Sequence, residues 1–467
     1  MVQAQKYDPR TFKALTFYDA LPAFRSGKDT PRAYLERCIA ETEAREPVVQ
    51  AFANINFESS RTAADASTKR WADGKPLSAI DGMPVGIKDL LETKDMPTEM
   101  NCAAMAGNFP KRDNPAVWAL REAGAVIYGK TVTAELGGAH PGPTTNPFDK
   151  ARTPGGSSSG SAAAVAARML PAAIGSQVGG SIIRPAGYCG NVALKPTQGA
   201  INRGERMATS MSTHGVHAGS IEDMWQVAIE IALRAGGDRG SPGLFGTLTP
   251  PEAIKPQRLI VLETEGWASL DDASKTAFEM FLESLKELGI TVRRRQEDAD
   301  VEMLERALGQ ASRIAAGITG WENRWYQRNL AGADGAGISA RALAVLERAE
   351  AMTPRDYRAL LVERECAQLA HARLAPLADA AITLSCPGPA PLWLGDKPGE
   401  PLASRPTGNA IFNYASSICF APVVGVPLMS VGGLPVGIQV MGQQHEDARV
   451  TAIARWLLEN ATPVVQD

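Results

Sequence analysis

The chain has 467 residues, with 48 basic and 51 acidic side chains giving a formal net charge of −3, and it is 44% hydrophobic and 21% charged. That balance is ordinary for a globular protein and argues against long disorder. Charges of both signs are mixed along the chain, so no electrostatic footprint for nucleic acid or an anionic membrane surface appears, and the expected partner is a small molecule. The length suffices for one large core or for two or three domains. The six cysteines, Cys38, Cys102, Cys189, Cys366, Cys386 and Cys419, lack the short paired spacing of a zinc site, and most of them read as buried small hydrophobes. The N-terminal MVQAQKYDPRTFKALTFYDALPAF has no basic start followed by an apolar run, and no stretch reaches the ~20 apolar residues that span a bilayer. A cytoplasmic location with reduced thiols is expected.

In chain order, Thr30-Pro31 predicts a helix start, with Leu35, Cys38, Ile39 and Thr42 on one buried face. DGMPVGIKD places Lys88 at or just beyond the end of a short apolar strand. A helix ending near Gly124 follows, then the strand AVIYGKT. ARTPGGSSSGS reads as a Gly/Ser loop, SAAAVAARM as a helix of small residues, and LPAAIGSQVGGSIIRPA as an apolar strand broken by glycines. After a Pro/Gly-rich stretch from Gly236 to Pro256 come the segment RLIVLETE, a helix near Asp272 to Leu288 and the strand-like ITVRRR. AAITLSCPGPAP, APVVGVPLMSV and PVGIQVM return to strands, and EDARVTAIARWLLEN is a closing helix. Helices alternating with strands predict an α/β fold, with residues from about 250 to 375 mostly helical.

Three motifs fail on context. Gly124 to Thr131, GAVIYGKT, matches the phosphate-loop pattern, yet its variable positions form the strand itself, so Lys130 is not read as a nucleotide ligand. GSSSG matches a hydrolase elbow with Ser158 as nucleophile, but the polar, proline-containing NPFDKARTP that precedes it is no strand. His140, His214 and His217 are accordingly expected to be loop hydrogen-bonders rather than triad members. GGSSSGS ahead of a helix, without other phosphate-binding features, is a weak anion cradle.

The chemistry concentrates elsewhere. Amide hydrolysis needs an activated nucleophile, donors for an oxyanion and an acid for the leaving amine. Lys88 lies in VGIKD, Ser157 in GGSSSGSAAA and Ser181 in QVGGSIIRPA, the two serines 24 residues apart. With CGNVALKPT and GLPVGIQVMG, these segments resemble the amidase signature family from about residue 30 to the C-terminus. The resemblance implies an amidase fold, with a mixed β-sheet covered by helices. It also implies that Lys88 is the catalytic lysine, Ser157 the serine on a cis peptide and Ser181 the acylated nucleophile, with an oxyanion hole on the amides of Val178, Gly179, Gly180 and Ser181. Physical chemistry agrees. Glycines at 179 and 180 let main-chain N–H groups approach a ligand, burial favours a neutral and hence basic lysine, and Ser157 is placed to carry a proton between Lys88 and Ser181. Ser158 is expected to hydrogen-bond to these groups rather than act as a base.

Many members of the family carry an Asp where this chain has Gln177 and an Arg where it has Ile183, with Arg184 one step later. QVGGSIIRPA resembles the malonamidase-like branch, in which the corresponding arginine binds a carboxylate of a small acyl group, so Arg184 is expected to bind substrate, with a structural ion pair as the alternative. The expectation is a single amidase domain over 1–467, acting on a small amide with no metal or organic cofactor, with a homodimer left open. Two alternatives stand beside it: an ammonia-delivering amidotransferase subunit that needs a partner chain, and a catalytically silent binding protein of the same fold.

Overall fold

A computed structural model describes residues 6–138, 140–205 and 209–467; the first five residues of the N-terminal stretch lie outside it. Among the described residues one mixed sheet collects twelve strands. They are β1 (Phe52–Ile55), β2 (Pro84–Lys88), β3 (Val126–Thr131), β4 (Ala172–Gln177), β5 (Val192–Lys195), β6 (Thr213–Ala218), β7 (Arg258–Val261), β8 (Thr291–Arg293), β9 (Ala380–Leu384), β10 (Val423–Val431), β11 (Leu434–Met441) and β12 (Val464–Gln466). The spatial order is β1-β3-β2-β4-β6-β5-β10-β11-β9-β7-β8, with β12 alongside β10. β3, β2 and β4 run parallel, as do β9, β7 and β8, while the strands between them are antiparallel.

Local signals in the sequence act where expected. Thr30 caps the helix Pro31–Val49 by accepting from Ala33 N, and Leu35, Cys38, Ile39 and Thr42 are buried on its inner face. Every residue of β2, β3 and β4 is buried, which is why these strands read as nearly continuous apolar runs. The helix Ser159–Ala166 is buried along its whole length, its small side chains letting it pack against β4, β2 and β3. Between residues 250 and 375 lie five α-helices, Asp272–Glu287, Ala299–Leu308, Ala311–Ala331, Ala340–Glu350 and Pro354–Ala372. No helix among the described residues is long and apolar enough to cross a membrane.

Two expectations are corrected. The apolar run through SIIRPA does not stay extended: β4 stops at Gln177, and Ile183–Cys189 is a helix with Pro185 in its first turn, where a missing N–H is tolerated. His214 and His217 lie in β6 rather than in loops. His140 does lie outside regular structure, and its carbonyl accepts from Glu135 N.

Lys130, discounted as a phosphate ligand, is buried in β3 and forms an ion pair with Asp89 at 2.8 Å. It also donates to Thr98 Oγ1 (2.6 Å) and the Pro97 carbonyl (3.0 Å), while Asp89 Oδ2 accepts from Met100 N (2.8 Å) and Glu99 N (3.2 Å). The segment following Lys88 is thereby wrapped around one buried pair. Lys130→Met, which strands the Asp89 carboxylate, is expected to cost about 3–5 kcal/mol of stability. Urea denaturation checks this, and Lys130→Met combined with Asp89→Leu should recover a substantial part of the loss.

Candidate active site

Lys88 ends β2 with its side chain fully buried. Its Nζ lies 2.7 Å from Ser157 Oγ, 2.9 Å from Ser158 Oγ, 3.0 Å from Ser176 Oγ and 3.2 Å from the Ser176 carbonyl. None of these partners is a carboxylate. Burial pushes the amine well below the ordinary lysine range, and the Arg184 guanidinium acts in the same direction. A neutral amine has two N–H donors and one lone pair, and the Ser157 hydroxyl, the closest of the four oxygens, is placed to donate to that lone pair.

The serines come from separate elements that are stitched together by main-chain bonds. Ser157 follows a cis Gly156–Ser157 peptide in the loop before the helix Ser159–Ala166, and its carbonyl accepts from Ala134 N at 3.0 Å. Ser158 Oγ donates to the Ser176 carbonyl at 3.2 Å and accepts from Ser176 N at 3.3 Å, tying the loop to β4. Ser158 N donates to the Ser181 carbonyl at 3.2 Å. Ser176 was not singled out from sequence. Its one signal is its place at the end of β4, beside the end of β2.

Ser181 sits in the turn between β4 and the helix Ile183–Cys189, half-buried, with its hydroxyl in no hydrogen bond among the described residues. Gln177 shapes this turn: its Oε1 accepts from Ile182 N (2.9 Å) and Ile183 N (3.1 Å), and its Nε2 donates to Ser417 Oγ (3.3 Å). Ser417 Oγ in turn donates to the Gly179 carbonyl at 2.9 Å. The N–H groups of Gly179, Gly180 and Ser181 meet no acceptor among the described residues. Neither glycine adopts a left-handed conformation; crowding is what requires them. A Cβ at 179 would lie 2.8 Å from the Tyr414 ring, and one at 180 would lie 2.5 Å from Asn413 Oδ1.

Arg184 is buried and has no carboxylate partner among the described residues. Its Nε donates to the Thr407 carbonyl (2.9 Å), and its Nη2 donates to the Gly156 carbonyl (2.6 Å) and Thr407 Oγ1 (3.1 Å). His214 and His217 are buried within electrostatic reach of Lys88, and none of their four ring nitrogens has a hydrogen-bond partner among the described residues, contrary to the hydrogen-bonding role expected of them. Burial above all pushes both imidazoles down to about 3, with the Arg203 guanidinium acting in the same direction on His214, so both are neutral near pH 7. His217 packs beside Ser158 over Gly175: a Cβ there would lie 2.9 Å from both His217 Nε2 and Ser158 Oγ. Among the described residues no cluster of three or more His, Cys, Asp or Glu side chains is arranged to hold a metal ion.

A mixed sheet of this strand order, covered by helices, is the fold of a solved amidase. The chain belongs to the amidase signature family, whose Amidase model matches residues 33–451. A glutamyl-tRNA(Gln) amidotransferase subunit of Chloroflexus aggregans is 29% identical over 94% of this chain and 95% of its own length. A solved amidase structure superimposes with a TM-score of 0.81 at 28% identity, over 96% of this chain and 100% of that one. The fold is shared with a 6-aminohexanoate cyclic dimer hydrolase, TM-score 0.80 at 23% identity, over 96% of this chain and 98% of that one.

Gly180→Ala is expected to cost about 1–3 kcal/mol, since the added methyl overpacks a turn pinned against Asn413. Chemical denaturation measures the cost, and adding Asn413→Ala should relieve part of it.

Proposed function

We propose that the protein hydrolyses the carbon–nitrogen bond of a small amide through an ester on Ser181. The observation that carries this reading is the amine of Lys88, buried without a counter-ion among the described residues and 2.7 Å from Ser157 Oγ. Neutral Lys88 takes the Ser157 proton as Ser157 takes that of Ser181, and Ser181 Oγ attacks the amide carbonyl. The oxyanion is met by the main-chain N–H groups of Val178, Gly179, Gly180 and Ser181. These donors lie on a turn already held by Gln177 and Ser417 and need little reorganisation as charge develops. The proton returns through Ser157 to the leaving nitrogen, the carbon–nitrogen bond breaks, and ammonia or an amine departs. Water then attacks the ester along the same relay and frees the acid and Ser181. The scheme draws on side chains, main chain and water alone.

Arg184 is assigned to the acyl side of the substrate. Its Nη1 makes no hydrogen bond among the described residues, leaving a donor for a carboxylate or carbonyl near the amide. The similarity to the Chloroflexus protein over nearly its full length favours a second reading, delivery of ammonia to a partner-bound acceptor. Release of ammonia or amine from simple amides by the isolated chain separates the two.

Ser181→Ala should abolish both turnover and labelling by a fluorophosphonate, and measurable acylation of that variant would overturn the assignment. Lys88→Ala and Ser157→Ala should each lower kcat about 10²-fold or more, the usual scale of general acid–base assistance. Ser158→Ala should fall short of the Ser181→Ala loss.

The pH dependence follows from the same group. The base is active only when neutral, and its pKa is depressed, so kcat/KM should rise as Lys88 deprotonates and then hold level through neutral and alkaline pH. A profile recorded with a non-titrating amide that instead climbs toward acid pH is incompatible with Lys88 as base.

A further inference from the structure

Arg184 is a cation that the protein has buried and, among the described residues, not neutralised. A guanidinium does not lose its proton under ordinary conditions, so its charge is fixed, and a buried charge without a counter-ion is costly to keep. All three of its hydrogen bonds go to neutral oxygens, the carbonyl of Gly156 and the carbonyl and hydroxyl of Thr407. The side chains that act on it electrostatically are Tyr188, Tyr414, Cys386 and a second cation, Arg405. The carbonyl that Nη2 grips is peptide-bonded to Ser157, whose hydroxyl touches Lys88 Nζ, so the charge is anchored one residue from the relay.

The surroundings of Lys88 are one-sided as well. The groups that face it are the hydroxyls of Ser157 and Ser158 from the loop before the helix Ser159–Ala166 and that of Ser176 from β4. His214 and His217 of β6 and Arg184 of the helix Ile183–Cys189 lie within electrostatic reach of it. The two imidazoles are neutral, and no carboxylate belongs to the set. This differs from Lys130 in the adjacent strand, which is buried to the same extent but paired with Asp89.

We propose that Arg184 is a positioning residue for the relay, a fixed cation anchored on the Gly156 carbonyl and Thr407 that adds to burial in holding Lys88 in its neutral, basic form. The inference rests on the reading of Lys88 as base and adds a function to Arg184 that does not depend on substrate contact. A like charge nearby disfavours protonation of the amine, so loss of the Arg184 charge allows Lys88 to hold its proton to higher pH.

The test is the pH dependence of kcat/KM for an amide bearing no other charged or ionisable group, so that anchoring of a substrate carboxylate does not enter. Arg184→Gln should move the acid limb upward by about one pH unit or more, while activity on the alkaline plateau falls much less than activity at neutral pH. Arg184→Lys, which keeps the charge, should leave the limb near its wild-type position. Thr407→Asp places a carboxylate against the intact guanidinium and should move the limb in the same direction as Arg184→Gln, which keeps the charge test available if Arg184→Gln does not fold. A uniform loss at every pH with an unmoved limb, or a limb moved as far by Arg184→Lys as by Arg184→Gln, overturns the proposal. Absence of an acid limb in the wild type overturns instead the assignment of Lys88 as base, and absence of fluorophosphonate labelling at Ser181 overturns the amidase reading itself.

Discussion

An amine taken out of water with no anion beside it is the constraint around which the site is built. Removing an ammonium from water costs more than the fold repays unless the charge is paired or given up. Among the described residues Lys88 bonds to no carboxylate, so its neutral form is the one the interior tolerates, and that form needs oxygens that both accept and donate. Three serine hydroxyls meet this need only if the loop carrying Ser157 and Ser158 is held over the ends of two adjacent parallel strands. The main-chain bonds from Ala134 to Ser157 and from Ser158 to Ser181 supply that hold.

Three fully buried lysines show how the same fold handles the same problem differently. Lys130 is paired with Asp89, and the pair organises the segment that follows Lys88. Lys195 donates to the Pro196 and Ala421 carbonyls, and burial pushes it down to about 7 while Asp447 pulls it back toward the charged form. Lys88 has hydroxyls in place of an anion, with Arg184 adding to its deprotonation. The difference lies in the neighbours, since burial is common to all three.

The glycine turn that carries Ser181 depends on parts of the chain far from it. Asn413, Tyr414 and Ser417 press on Gly180 and Gly179 or bond to the Gly179 carbonyl, so the C-terminal half of the chain shapes a loop belonging to the N-terminal half. The helical segments are likewise bonded to the N-terminal half of the chain: Glu135 accepts from Ser339 N at 2.8 Å, Glu322 accepts from Ser210 N at 2.7 Å, and Gly337 accepts from Ala104 N at 3.1 Å.

The elements that were legible in the sequence were those whose cause is local. Pro84 to Lys88 is an apolar run bounded by turn residues, Thr30-Pro31 is a helix start, and SAAAVAARM is a small-residue helix; in each, neighbouring residues carry the signal. The motifs around Lys88, Ser157 and Ser181 marked the region of interest in the same way. Where the cause is distant, the sequence was silent or misleading. SIIRPA is apolar enough for a strand, but Gln177 turns the chain by taking the N–H groups of Ile182 and Ile183. His214 and His217 read as loop residues until pairing with β4 and β5 drew them into the sheet. Arg184 finds its partner 223 residues away at Thr407, and Ser176 meets Lys88 across 88 residues. The sequence by itself determined which side chains are available and where strands and helices begin. Tertiary structure decided which are buried together and whether a charge among them is paired, because burial and pairing depend on surfaces that meet only when the sheet has formed.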